Sequence, residues 1–529
     1  MVDRHLRSPT STTTIRYGHT VSSSEPDPDE PRTAAAPPAI PNTHTTRRRA
    51  ESWIERHKVS LAGVFTIGFA GGFAGPSAWD WYLRQDITPG HGTIIGGFFV
   101  VTAAAIAYTG THLTRTSTER IAIAKNDLDK TNAENAHNLT DIQELRRRFV
   151  TTTAQFADPS PEVRLAGVYA LEALTNDWID RKSTTDAQTC INYLCGYLTR
   201  PYNPPTRDPH LRQTVVTPDI GTHVQRTYLH PHDDLNVRQA ITRTIAKHLQ
   251  PGNRHTWSDY DYDLTGAYFR DATFSGCHFR GKTNLTATHF DGDHTSFDSA
   301  EFHSERTDFR FAQFRSKSAS FDDAKFYGGL ATFGNAQFHG GTSFDDAQFH
   351  CRRTTFAAVL FRGDFTSFER AEFWGNMTHF GFARFHSERT SFEETQFRSS
   401  STSFIRMEFG SPDSDETTFN RAEFRGERVS FFHAKFQSTT TSFSEAKFHS
   451  ERVAFANSQF HSEVTSFIQA EFCAEETTFT QARFLGELMS FDNPRAWEAV
   501  YFDWDDPTSS TQKPDSVVPQ DWPPTPTLG

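Results

Sequence analysis

Arginine, histidine and aromatic residues recur at a fixed spacing in the second half of the chain, and these residue types are suited to recognising a partner. One series, with a member about every 24 positions, reads Arg315, His339, Arg362 and His386 and then continues as Gly410, Gln437 and His461. A second series reads His303, Tyr327, His350, Trp374, Arg398, Arg425 and His449. Stacked above one another, such side chains could hold an acidic partner, and histidine would make the surface respond to pH. The alternative is a solvated repeat position that has drifted among polar residues.

Sequence patterns typical of catalytic or metal centres are absent. The chain contains no G-x-x-x-x-G-K-[ST], G-x-G-x-x-G, G-x-S-x-G or H-E-x-x-H sequence. Cys190 and Cys195 are five positions apart, and a zinc site would also need a second pair of ligands at a similar spacing, so we expect them to be small core residues of a helix. The 5 cysteines are scattered and odd in number, which argues against a disulfide framework and favours a reducing compartment. We therefore predict no catalytic residue, no cofactor and no metal.

Each member of the two series directly follows a phenylalanine, and these phenylalanines belong to a ladder that continues to Phe491. Its first regular members, separated by alternating steps of five and seven, are Phe297, Phe302, Phe309, Phe314, Phe321, Phe326, Phe333 and Phe338. A step of five matches neither a strand nor a helix, so the chain must turn a corner between successive phenylalanines. Four corners close a square coil of about 24 residues. Phenylalanine would fill its centre, beside a small residue such as Ala300 or Ala312 two positions earlier.

The A-x-F motif at a step of five resembles the pentapeptide-repeat family, A(D/N)Lxx, in a Phe-rich form. The resemblance covers residues 263–491 and implies a right-handed quadrilateral β-helix. Phe-rich low-complexity sequence is the alternative, but it would not hold the phase of both Phe and Ala. In a square coil the residue after the second phenylalanine of each pair points outward, which makes Arg315, His339, Arg362 and His386 a candidate binding column.

Two apolar segments lie nearer the N-terminus. Residues 59–79 and 92–113 carry no charged side chain, and each has about the 20 residues that cross a bilayer. Basic residues flank the outer ends of the pair, which predicts a transmembrane hairpin in the inner (plasma) membrane with both termini in the cytoplasm. Gly68-x-x-x-Gly72 would let the first helix pack closely against the second or against another copy of the chain. The alternative is a buried helical hairpin of a soluble domain.

The fold class predicted from these patterns is a multi-domain chain that combines α-helices with an all-β solenoid. Its parts are a disordered tail (1–50), the transmembrane hairpin (51–115), a helical, HEAT-like, membrane-proximal region (116–255), the pentapeptide-repeat β-helix (256–496), and a cap with a disordered C-terminal tail (497–529). Trp497, Tyr501, Phe502 and Trp504 could cover the open end of the β-helix.

This order of parts resembles bacterial membrane-anchored pentapeptide-repeat proteins. The matching segments are Arg148-Phe149, 163–171 and 188–198. The resemblance carries an architecture and no established reaction.

These observations favour a membrane-tethered, non-enzymatic interaction or scaffold module, whose β-helix is a rigid cytoplasmic surface for an unknown protein partner. Homo-oligomerisation is a further option. A net charge of −12 argues against a nucleic-acid binder. The alternative borrows from the family's DNA mimics, which regulate type II topoisomerases and need a strongly acidic face, whereas acidic and basic residues alternate here. An enzyme within 120–250 and an oligomeric channel through the glycine-rich segments are the remaining alternatives.

Overall fold

The computed structural model describes residues 89–202, 213–216, 226–229, 234–411 and 414–527. Its contacts divide the chain into two units, Met1–Asp129 and Lys130–Gly529. The described residues of the first unit belong to helix α1 (Pro89–Gln155). The predicted disordered tail, 1–50, and the first predicted span, 59–79, lie outside the described residues.

The predicted second membrane span, 92–113, falls within α1. Among the described residues, however, no helix is both long and apolar enough to cross a membrane. This finding contradicts the predicted transmembrane hairpin and the inner-membrane localisation with both termini in the cytoplasm. A span requires about 20 predominantly apolar residues. In α1, polar threonines such as Thr109, Thr111 and Thr114 interrupt the apolar run, and an ion pair between Arg115 and Glu119 follows directly.

The second unit begins with three further helices, α2 (Pro161–Asp180), α3 (Thr184–Leu198) and α4 (Asp234–Leu249). A short antiparallel hairpin, Gln213–Val216 with Arg226–Leu229, lies between α3 and α4 in sequence. Pro161 occupies the first turn of α2, where its missing N–H leaves no hydrogen bond unmade. All three helices lie within the segment 116–255, for which the sequence predicts a helical region.

The helices pack against the first coil of the solenoid. The Gln188 side chain of α3 exchanges hydrogen bonds of 2.8 Å with both backbone groups of Asp261. The Gln250 amide, just after α4, donates to the carbonyl oxygen of Ser275 at 2.8 Å. These contacts satisfy backbone groups at a solenoid end, where an uncovered coil would leave them unpaired.

The rest of the second unit is a parallel β-solenoid built from four sheets, which are numbered here in the order in which one coil of the chain passes through them. Sheet 1 comprises His294–Ser296, Ser318–Ser320, Gly341–Ser343, Phe365–Ser367, Arg389–Ser391, Glu416–Thr418, Thr440–Ser442, Val464–Ser466, Leu488–Ser490 and Val517–Val518. Sheet 2 comprises His278–Phe279, Glu301–Phe302, Lys325–Phe326, Gln348–Phe349, Glu372–Phe373, Gln396–Phe397, Glu423–Phe424, Lys447–Phe448, Glu471–Phe472 and Ala496–Trp497.

Sheets 3 and 4 complete each coil. Sheet 3 comprises Tyr262–Asp263, Thr283–Asn284, Arg306–Asp308, Leu330–Thr332, Arg353–Thr355, Met377–His379, Ser401–Ser403, Arg428–Ser430, Arg452–Ala454, Glu476–Thr478 and Val500–Tyr501. Sheet 4 comprises Tyr268–Arg270, His289–Asp291, Gln313–Phe314, Gln337–Phe338, Leu360–Phe361, Arg384–Phe385, Glu408–Phe409, Lys435–Phe436, Gln459–Phe460 and Arg483–Phe484. Because the chain runs through the sheets in this order, sheet 4 lies opposite sheet 2, and sheet 3 lies opposite sheet 1.

Phenylalanine fills the centre of the solenoid, as predicted. The eight named ladder residues, Phe297 to Phe338, are at most 1% exposed. Each ring stacks on its counterpart one coil later: Phe309 lies 4.8 Å from Phe333, and Phe297 lies 5.0 Å from Phe321. Rings at opposite corners meet edge to face, as in the pair Phe297 and Phe309 at 5.5 Å and 89°. Each ring thus uses both of its faces and its edge, the two favoured aromatic geometries.

A tight turn begins at each phenylalanine that ends a seven-residue step and starts the next five-residue step. Ala312 donates its N–H to the Phe309 carbonyl at 3.1 Å, and Phe311, between them, has φ +60°. The residue before the phenylalanine accepts a hydrogen bond from the N–H after it: Asp308 accepts from Arg310 here, and Ser343 accepts from Asp345 in another coil. A left-handed third residue is typical of a type II turn, which favours Gly or Asn there.

A second inward position was not recognised in the sequence. The residue two places before most phenylalanines of sheets 1 and 3 is a small or β-branched side chain that is buried, such as Thr295, Thr307, Ala319 and Ala331. The recurring T-S-F triplet carried this signal: threonine faces inward, serine hydrogen-bonds the turn, and phenylalanine enters the core. The prediction placed small residues beside phenylalanine only at the five-residue steps.

Along sheet 1 between His294 and Ser490, the coil length departs from 24 residues at two places. The coil from Ser318 to Gly341 has one residue fewer, and the coil from Arg389 to Glu416 has three more. Gly340 permits the short corner, because a Cβ there would lie 2.3 Å from the carbonyl oxygen of Lys317. The long coil places its extra residues directly after Gly410, which has φ +77°.

The C-terminal segment covers the last coil. Phe502 stacks on Phe479 at 4.6 Å, Trp504 stacks on Phe502 at 4.6 Å, and Trp522 packs edge-on against Phe502 at 5.1 Å. Strand Val517–Val518 then pairs with Leu488–Ser490 and ends sheet 1. Tyr501, at 53% exposure, covers none of the core.

We predict opposite outcomes for two phenylalanines that lie two positions apart. Phe309→Ala should lower the free energy of unfolding by about 3–5 kcal/mol, because it opens a cavity inside the stack. Phe311→Asn should change it by less than about 1 kcal/mol, because that ring is 51% exposed and asparagine accepts left-handed backbone. Urea denaturation of the two variants and the parent measures both values. Equal losses would contradict the assignment of inward and outward positions.

Candidate interaction surface

The four residues of the predicted binding column occupy equivalent positions in consecutive coils of sheet 4. The register pairs the preceding residues Phe314, Phe338, Phe361 and Phe385 with one another in order. The N–H of His339 donates to the carbonyl of Phe314 at 2.8 Å, and the later members repeat this bond one coil on. Arg315, His339, Arg362 and His386 therefore form one column, named here the basic column, with the spacing of paired strands, about 4.8 Å.

The guanidinium groups of the basic column are available for a partner. Arg315, His339 and Arg362 are exposed, and His386 is half-buried. No ion pair or hydrogen bond engages the guanidinium of Arg315 or of Arg362 within the described residues. Other arginines of the solenoid differ: Arg370, for example, lies 2.7 Å from an Asp346 carboxylate oxygen.

The histidines of the basic column are held in their neutral form at neutral pH. Although His339 is exposed, neighbouring groups partly desolvate its ring and lower its pKa, and the positive charges of Arg315 and Arg362 lower it further. Partial burial also lowers the pKa of His386, where the Glu408 carboxylate, 3.8 Å away, opposes the effect. Since a like charge disfavours the protonated ring, these histidines contribute little charge to the empty surface.

The second predicted series lies on sheet 2, the face opposite the basic column. Its members form a continuous stack: His303 lies 4.8 Å from Tyr327, Tyr327 lies 5.3 Å from His350, and His350 lies 6.0 Å from Trp374. The Arg398 guanidinium then lies 4.7 Å above the Trp374 ring. The two series cannot form one surface, because they are on opposite sides of the coil.

The polar atoms of the sheet 2 stack are largely engaged by neighbouring side chains. The Trp374 indole N–H donates to Glu372 at 3.0 Å, and the His303 Nε2 lies 3.0 Å from a Glu301 oxygen. The ring faces are engaged as well, because each ring stacks on the next. This surface offers a partner mainly ring edges, whereas the basic column offers unpaired cations.

Sequence reasoning missed an acidic column beside sheet 1. It consists of the residues that directly follow the sheet 1 phenylalanines, namely Asp298, Asp322, Asp345, Glu369 and Glu393. Serine hydroxyls from the next coil donate to several of these carboxylates, as Ser391 does to Glu369 at 3.0 Å. Burial raises the pKa of Asp345, and the nearby charges of Asp322 and Glu369 add to the shift. The recurring F-D and F-E pairs were the available signal.

This acidic column borders a groove of about 410 Å³, which lies over sheet 1 and includes Glu416 in its lining. Basic residues lie close by: Arg421 contacts both Glu393 and Glu394, and Arg370 lies 3.6 Å from Glu369. The groove is therefore acidic along one line and mixed in charge at its border.

The described part of the chain contains His, Cys, Asp and Glu side chains, the usual metal ligands. No group of His, Cys, Asp and Glu side chains there is arranged to hold a metal ion. Cys190 and Cys195 lie in the core of the helical region, and burial raises the pKa of each thiol to about 12. Thiols with so high a pKa are poor nucleophiles and poor metal ligands at neutral pH.

We predict that Arg362→Gln raises the pKa of His339 towards its ordinary value, because one of the two flanking positive charges is removed. Histidine-selective isotope labelling and NMR titration of the full chain measure this pKa. Arg428→Gln, which removes an exposed arginine from sheet 3, is the matched control and should leave the pKa of His339 unchanged. An unchanged pKa in both variants would show that the column is not electrostatically coupled.

Comparisons of the chain with known proteins found no match. No protein-family model matches it. No curated protein matches it, and no solved structure matches it. Its parallel β-solenoid architecture, with stacked phenylalanine columns, is therefore established by the geometry of the chain itself.

Proposed function

We propose that the protein is a non-enzymatic interaction module whose β-solenoid is a rigid binding surface, and that the basic column contacts an acidic partner. One observation carries this proposal: two exposed guanidinium groups, which have no partner among the residues that the structure describes, alternate with histidines in consecutive coils. Within the family interpretation, the coils are Phe-rich pentapeptide repeats of a right-handed quadrilateral β-helix. The A-x-F spacing and the turn at each corner support that assignment.

The solenoid frame suits this role for a physical reason. Association costs free energy when loops and side chains must be ordered on binding. Here the column is attached to strands that pair on both sides and to phenylalanines that are fully buried. A partner would meet the cations already placed at a regular spacing, and solenoids commonly use such long regular faces for binding.

Proximity labelling with the labelling enzyme on the C-terminus tests the proposal in the native cell. The parent protein should label a discrete set of proteins, and Arg315→Glu/Arg362→Glu should lose that set because charge reversal repels an acidic partner. Arg428→Glu/Arg452→Glu is the control, since it reverses two exposed arginines paired in register on sheet 3. Loss in both double variants, or in neither, would contradict a partner site on sheet 4.

A second candidate is a DNA-mimic regulator of a type II topoisomerase, and the acidic column favours it. Five carboxylates in consecutive coils could imitate a line of phosphates. The candidate ranks second because Arg421 pairs with Glu393 of that line and Arg370 pairs with Asp346 beside it. On this alternative, the protein inhibits DNA supercoiling, and Asp322→Asn/Asp345→Asn/Glu369→Gln abolishes the inhibition. The exposed set Glu451→Gln/Glu475→Gln/Glu476→Gln is the control and should retain it. Absence of inhibition by the parent protein would exclude this role.

A further inference from the structure

The basic column has a defined length, because carboxylates close it at both ends. Asp291 precedes Arg315 by one coil on the same sheet, and it opposes the lowering of the His339 pKa. Glu408 follows His386 and contacts Arg384 at 3.5 Å and Lys435 at 3.1 Å. The four members from Arg315 to His386 include no acidic residue. The basic column therefore extends over four coils, about 14 Å at the spacing of paired strands, and its two arginines lie two coils apart.

The length of the basic column and the carboxylates at its ends limit which polyanions can bind there. A long duplex would extend beyond Asp291 and Glu408 and would also approach the acidic column at the neighbouring sheet 1. The chain as a whole carries a net charge of −12, which repels extended nucleic acid. A short peptide with a few consecutive Asp or Glu residues fits the four coils, and guanidinium groups bind carboxylates through paired hydrogen bonds.

We propose that the basic column binds a short Asp/Glu-rich peptide segment of a partner protein, and that binding is coupled to proton uptake by His339. The proposal rests on the proposed function and adds the class of the partner segment and a control by pH. His339 is the coupling residue because it lies between the two unpaired guanidinium groups. A carboxylate that bridges Arg315 and Arg362 must lie over the imidazole ring.

The direction of the coupling follows from the charges that face each ring. In the empty column the pKa of His339 is lowered by partial desolvation and by Arg315 and Arg362, and only Asp291 opposes this. A bound carboxylate adds an opposite charge within contact distance, which favours the protonated ring. The pKa of His339 is therefore higher in the complex than in the free protein. Affinity then rises as the pH falls through the interval between the two values and is constant well above it.

His386 and His289 modulate the coupling at the two ends of the column. His386 faces Glu408, Arg362 and Arg384, and His289 faces Arg315 and Asp291. Neither ring lies between Arg315 and Arg362, so a carboxylate that contacts both arginines changes its surroundings less than it changes those of His339. The other side chains that sheet 4 presents beside the column, Gln313, Gln337 and Leu360, do not titrate.

Binding of a fluorescent hexaglutamate peptide to the full chain, at about pH 8 and about pH 6, tests the proposal. A shift of one unit in the His339 pKa gives up to about tenfold tighter binding at the lower pH. Calorimetry in buffers of different ionisation enthalpy should show net proton uptake. His339→Gln should still bind but with little pH dependence, Arg315→Gln/Arg362→Gln should lose binding, and Arg428→Gln/Arg452→Gln should match the parent.

The outcomes separate this proposal from the proposed function. Binding that requires both arginines but does not change with pH would overturn the proton coupling and leave the acidic-partner surface standing. Tighter binding of a single-stranded oligonucleotide of equal charge would overturn the peptide assignment. Column-dependent proximity labelling without any hexaglutamate binding would also overturn the peptide assignment while supporting the interaction module. Retained thermal midpoints of all variants show that loss of binding does not reflect unfolding.

Discussion

The stacking of phenylalanine on phenylalanine from coil to coil is the interaction on which the rest of this structure depends. Each ring lies against the equivalent rings of neighbouring coils, at 4.8 Å for Phe309 and Phe333 and at 4.4 Å for Phe314 and Phe338. Such spacing matches the distance between hydrogen-bonded strands, so the core and the backbone ladder impose the same rise per coil. Aromatic pairs in these geometries stabilise by about 0.5–1.5 kcal/mol each beyond their buried area. This stacking energy offsets the cost of the left-handed turn residues, which is about 1–2 kcal/mol each.

The constant rise per coil places equivalent residues of successive coils directly above one another. Any residue type that recurs once per coil becomes a line along one face, whether it is basic on sheet 4, aromatic on sheet 2 or acidic beside sheet 1. Acidic neighbours set the length of the basic column, which Asp291 borders at one end and Glu408 at the other. The basic column ends where Gly410 replaces a histidine or arginine, immediately before the extra residues of the long coil. The binding properties of each face therefore depend on which residues occupy the outward positions of successive coils.

The sequence was sufficient to predict the inward phenylalanines, the coil length and the helices before the solenoid, because each follows from a strong period. It was also sufficient to place Arg315, His339, Arg362 and His386 in one column. The opposite orientation of the two polar series was missed, because it depends on how four sheets follow one another around a coil. The acidic column was missed because F-D and F-E pairs were interpreted as scattered charge. The predicted membrane span at 92–113 was wrong, since absence of charge does not by itself make a helix apolar enough.

Site-specific photo-cross-linking tests the central claim, that sheet 4 is the contact surface, most directly. A photoreactive amino acid replaces Gln337, which lies beside the basic column, or Gln348, which occupies the matching outward position on the opposite sheet 2. Illumination in the native cell should yield a discrete cross-linked species from position 337 and none from position 348. That species should disappear with Arg315→Glu/Arg362→Glu. Equal cross-linking from both positions, or a species that survives the charge reversal, would contradict the account.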